Sequence, residues 1–137
     1  MRKSNILVAF AAAVIALSFA VSSLAQEKAD TAKVLGAWKV DVYAGDQTYS
    51  LNLTVFEENG ILAGKISESL GTFTDVPISD IFFDGAAFRF SFISPTPPDG
   101  ASRTVKADLK INQDTMGGTV TVPDLDFVAD ASGTRAK

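Results

Sequence analysis

From about residue 35 onward the chain alternates apolar and polar side chains with a period of two, and turn-forming residues interrupt the alternation every ~10–15 positions. Eight strands follow from this. The first, 35–43, puts Trp38, Val40 and Val42 on one face and Lys39, Asp41 and Tyr43 on the other. The second, 48–57, sets Tyr49, Leu51, Leu53 and Val55 against Ser50, Asn52 and Thr54. The third, 61–68, turns Leu62, Gly64 and Ile66 one way and Lys65 and Ser67 the other. The fourth, 73–83, is irregular: Pro77 and the Phe82-Phe83 pair break the alternation and predict a bulge or an edge near Pro77. The fifth, 87–93, carries Phe88, Phe90 and Phe92 on one face. The sixth, 102–112, carries Val105, Ala107, Leu109 and Ile111. The seventh, 115–122, carries Met116, Gly118, Val120 and Val122, and the eighth covers 125–136. Asn59-Gly60 and Asp84-Gly85 supply the positive φ angles of tight hairpins.

Every connection is short, which forces neighbouring strands into an antiparallel meander. A flat sheet of that kind leaves two raw edges, and closure removes them. The predicted fold is therefore all-β: an eight-stranded antiparallel up-and-down barrel over residues 35–137. A two-sheet sandwich needs longer crossovers than this sequence contains.

Residues 1–25 have the form of a secretory signal peptide: Arg2 and Lys3, an apolar run from Ile6 to Val21, then Ser23-Leu24-Ala25 with small residues at the cleavage positions. Cleavage is expected after Ala25, which leaves a polar lead-in over 26–34 and no stable membrane anchor. The expected location is secreted or periplasmic.

Composition narrows the chemistry. Neither His nor Cys occurs among the 137 residues. That excludes a disulfide framework, a Cys/His zinc site and a His-dependent nucleophile. The formal charge is −4, or −6 once Arg2 and Lys3 are removed with the leader. An acidic chain is a poor match for nucleic acid or an anionic membrane surface. Among 16 acidic residues no pair lies clearly on the inward face of a strand, so no acid–base couple stands out. Asp124, Asp126 and Asp130 lack the loop that a calcium site needs. No metal, cofactor or catalytic residue is expected, and the chain is read as a non-enzyme.

Gly36-Ala37-Trp38 opens the first strand, and Arg135 closes the last. This pairing resembles the signature of the calycins: lipocalins, fatty-acid-binding proteins and avidins. The resemblance implies that Trp38 lies across one barrel end with Arg135 packed over it and Gly36 beside them, as structural barrel closure. The wider series Leu62/Gly64/Ile66, Asp84-Gly85, Phe88/Phe90, Met116/Gly118 and Arg135 is similar to small secreted bacterial barrels, and to modules appended to secreted amidohydrolases. One departure is Ala131-Ser132-Gly133, where such barrels often place an aromatic.

Two functions stay open at this point. In one, the barrel holds a small apolar ligand bounded by Trp38, Tyr49, Phe88, Phe90 and Phe92. Gly118 then leaves space, Tyr49 serves as polar anchor, and the proline-stiffened Pro95–Gly100 loop forms a fixed rim. In the other, side chains fill the barrel, which acts through its surface on a protein partner as an accessory, inhibitor or assembly module.

Overall fold

The computed structural model describes residues 31–137, so the expected leader and most of the lead-in lie outside the described residues. Strands β1 (Gly36–Ala44), β2 (Gln47–Glu58) and β3 (Ile61–Glu68) form an antiparallel meander. Two short strands follow, β4 (Val76–Pro77) and β5 (Ser79–Phe83). Then come β6 (Ala87–Pro95), β7 (Ser102–Asn112), β8 (Thr115–Val122), a single 3-10 turn (Pro123–Leu125) and β9 (Phe127–Arg135).

All the strands belong to one sheet in the order β4-β3-β2-β1-β9-β8-β7-β6-β5. The first and last strands of the meander pair directly, with Trp38 opposite Arg135 and Val42 opposite Ala131. The two outer strands of the sheet, β4 and β5, are separated in the chain by Ile78 alone. One side of this segment bonds β3, where the Ile78 N–H donates to the Gly64 carbonyl at 3.0 Å, and the other side pairs with β6. The sheet thus curls into a nearly closed barrel.

The expectation of eight strands needs correction to nine among the described residues. The stretch read as one strand over 73–83 is broken. Residues 73–75 form a loop, Asp75 and Asp80 take left-handed backbone angles (φ 52° and 51°), and the β5–β6 register shifts between Ser79 and Phe82. Pro77 has no N–H to donate, so the segment cannot stay in one ladder and passes from β3 to β6. The last strand also starts later than 125, because Pro123–Leu125 winds into the 3-10 turn.

The Asn59-Gly60 turn has φ angles of 55° and 78°, the mirror-image geometry that suits strand twist. Alternation decides the faces. Along β6 Phe88, Phe90 and Phe92 are buried, while Arg89 stands outside, 3.5 Å from Asp108 and over the Phe82 ring. The largest fully buried side chains are Trp38, Phe88, Leu53, Ile66, Leu109, Val34 and Val55. They belong to the half of the barrel where β1 begins and β9 ends, and they close that half.

Candidate functional site

The two halves of the barrel are filled differently. At the closed end, Trp38 donates from Nε1 to the Val34 carbonyl at 2.9 Å. The Arg135 guanidinium lies over the indole, 4.2 Å from the ring centroid. Its nitrogens donate to the carbonyls of Leu35 (2.5 Å) and Lys33 (2.8 Å) and to Asp114 Oδ1 (3.0 Å). Gly36 sits against this cation at φ +116°, and a Cβ there would come 3.1 Å from Arg135 Nη1. A guanidinium that stacks on an aromatic face and ties down carbonyls is a fitting end plate.

Toward the other end the inward positions hold short branched side chains: Val42 on β1, Leu51 on β2, Val105 on β7, and Val120 and Val122 on β8. These do not reach across the barrel axis. What remains is a cavity of about 790 Å³. Its volume falls within the ~300–1,000 Å³ typical of small-molecule sites. Phe92 and Phe73 form one wall, with ring centroids 5.9 Å apart. An aromatic column continues below them, Phe92–Phe90 at 6.2 Å and Phe90–Phe88 at 5.1 Å.

The rim is built from three connections. The β6–β7 loop contributes Pro95, Thr96, Pro97, Pro98 and Gly100. It is cross-braced: the Thr96 N–H donates to Ala101 O (3.1 Å) and the Gly100 N–H to Thr96 O (2.9 Å). Arg103 donates to both Asp99 oxygens at 2.8 and 2.9 Å and to the Thr96 hydroxyl at 2.8 Å. This fork holds the Asp99 carboxyl at about 2, below its ordinary 3.8. The β8–β9 connection contributes Leu125, with Phe127 just inside β9, and the β3–β4 loop contributes Thr72 and Phe73.

A carboxylate lies on the inward face of a strand. Glu68 ends β3, two positions beyond Ile66 and opposite Leu51, and its side chain lines the cavity. The β3–β4 loop wraps it. The Thr72 hydroxyl and the Thr72 N–H (3.3 Å) donate to Oε1, and the Leu70 N–H donates to Oε2 at 2.9 Å. The Thr72 hydroxyl and the Leu70 N–H together hold this carboxyl below its ordinary value of 4.5. The sequence reading looked for an inward pair of acids and did not single out this lone carboxylate. The signal was the spacing Gly64, Ile66, Glu68, which continues the inward series into a charge.

The structure separates the residues expected to form one site. Tyr49 and Phe92 line the cavity, and the Tyr49 hydroxyl donates to Gln47 Oε1 at 2.6 Å. Trp38, Phe88 and Phe90 lie below it in the packed half. Gly118 leaves no space at all: a Cβ there would come 2.1 Å from the Asp108 carbonyl oxygen. Gly64 is also closed off, with Thr54 O at 2.7 Å and Ile78 Cδ1 at 2.8 Å from a built Cβ. The small residues let the backbones approach, and the open volume comes from the valines instead. Sequence reasoning missed Ser94 and Thr96, which are buried polar residues of the cavity wall. The chain matches no protein-family model, and comparison with the curated proteins and with the solved structures returned no match.

Proposed function

We propose that this chain is an exported, non-enzymatic binding protein of calycin type that holds a small apolar molecule in the upper half of its barrel. The observation that carries the reading is the cavity of about 790 Å³, walled by Val, Leu and Phe side chains and rimmed by a braced loop. The calycin likeness is supported by the Trp38–Arg135 stack at the end away from the cavity. Burial of ~200 Å² of ligand would contribute about 5 kcal/mol at ~25 cal/mol per Å². The cost of association consumes part of that, so an affinity in the millimolar to micromolar range is expected for a purely apolar ligand.

The test is titration of the chain from Gln26 onward with a neutral environment-sensitive dye such as N-phenyl-1-naphthylamine. Trp38 is remote from the cavity lining, so dye emission and not indole emission is the readout. Saturable enhancement reversed by decanol supports the reading. Absence of saturable binding overturns it in favour of a barrel that works through its surface. Export is tested separately by N-terminal sequencing of secreted material, where Gln26 is the expected first residue.

A further inference from the structure

Resting on that reading, we infer that the cavity selects an organic cation, an apolar body carrying an ammonium-type head, and discriminates against carboxylate amphiphiles. Three observations converge. Glu68 is the charged side chain in the cavity wall, 8% exposed, at a strand position where the alternation calls for an apolar residue. Its donors, Leu70 and Thr72, all come from one loop, so they fix the carboxylate in place without cancelling its charge.

The second observation is the charge of the mouth. The connections at this end, residues 45–46, 69–75, 96–101 and 123–126, contain Asp46, Asp75, Asp99, Asp124 and Asp126 and no Lys or Arg. Arg103 and Lys65 reach toward this end from the strands, and each is engaged by a carboxylate, Asp99 and Asp75 respectively. An acidic mouth with apolar walls focuses a potential that draws cations in and repels anions.

The third is the polar set beside Glu68. The hydroxyl residues Tyr49, Thr72, Ser94 and Thr96 line the same cavity as the carboxylate. Hydroxyl oxygens accept hydrogen bonds as readily as they donate them, and an ammonium head has only donors to offer. A carboxylate head would offer only acceptors and would lie beside a fixed negative charge in a partly desolvated wall, where like charges repel strongly.

The experiment compares three ligands of equal chain length, decylammonium, decanol and decanoate, each below its micelle concentration, by displacement of the dye from the full mature chain at pH 7. Decylammonium is expected to bind at least about tenfold more tightly than decanoate, with decanol between them. Glu68→Gln, verified as folded by circular dichroism, is expected to collapse that ratio toward the hydrophobic baseline. Should Glu68→Gln fail to fold, the triple variant Asp46→Asn, Asp124→Asn, Asp126→Asn on the exposed rim is expected to narrow the ratio in the same direction. Equal or tighter binding of decanoate by the wild type overturns the inference and leaves the binding cavity standing. So does a ratio that folded variants leave unchanged. If dye and all three ligands fail to bind, the cavity reading itself falls.

Discussion

The guanidinium of Arg135 and the indole of Trp38 face one another across the β1–β9 pair, 4.2 Å apart, and fasten the first strand of the barrel to the last. Trp38 is 1% exposed, so Trp38→Ala is expected to cost about 3–5 kcal/mol in urea unfolding. Arg135→Ala is expected to cost about 2 kcal/mol, since it removes both the stack and three charge-assisted hydrogen bonds. The double variant isolates the pair, and a coupling of about 1 kcal/mol is expected. Arg135→Lys should recover little, because an ammonium cannot serve the carbonyls and the ring together. Strict additivity of the two alanine substitutions would show that the stack contributes nothing to closure.

Acid should loosen the rim before it unfolds the barrel. Asp99 has a folded value of about 2 against an ordinary 3.8, and Glu68 is also lowered from 4.5. A depressed carboxyl contributes its stability fully above the ordinary value and loses it as pH falls through the folded one. The urea midpoint is therefore expected to be flat from neutral pH to about 5 and to decline below about 4.5. Asp99→Asn should remove the part of that decline between about 4 and 2. Unfolding series at pH 6, 4, 3 and 2 check this. An acid limb identical in the variant would show that the Arg103 fork does not form in solution.

Much of this architecture was legible in the residue pattern, and its limits have physical causes. The Phe88, Phe90, Phe92 alternation gave the buried face of β6, and Asn59-Gly60 gave the turn, because both signals are local. Alternation tells which face a residue takes but not its height along the barrel axis. Trp38, Phe88 and Phe92 all read as inward, yet only Phe92 reaches the cavity. Gly118 read as space, whereas there, as at Gly64, neighbouring backbone closes in. The break at Ile78 was half visible: Pro77 announced a disturbance, but the transfer of the segment from β3 to β6 depends on partners distant in the sequence.

That transfer makes a suppressor prediction. Ile78 lies directly over Gly64, with its Cδ1 2.8 Å and its Cγ1 3.2 Å from where a Cβ would stand. Gly64→Ala is expected to destabilise by about 1–3 kcal/mol through overpacking. Ile78→Val alone should cost about 1 kcal/mol. Combined, the two should cost less than their sum, because removal of Cδ1 clears one of the two clashes. Recovery stays partial, since the Thr54 carbonyl oxygen remains 2.7 Å from the new methyl. A fully additive pair in urea unfolding would mean that Ile78 does not cover Gly64.

The sharpest test of where a ligand sits uses Val120 against Gly118. Both are inward positions of β8, two residues apart. Val120 pairs with Ala107 on one side and Ala129 on the other, both small, and its side chain borders the cavity. Val120→Phe therefore extends into open volume. It should change stability by no more than about 1 kcal/mol, because the added ring replaces void and not packed atoms. The same ring occupies the space a ligand needs, so dye and decylammonium affinity should fall at least about tenfold. Gly118→Ala adds far fewer atoms and should do the opposite. Its methyl would be driven against the Asp108 carbonyl, so stability should drop by about 1–3 kcal/mol or more. Dye affinity, measured where that variant remains folded, should stay near wild type, since no cavity atom is displaced. If Val120→Phe binds as tightly as wild type, the bound molecule lies elsewhere on the chain and the valine-lined half of the barrel is not its site.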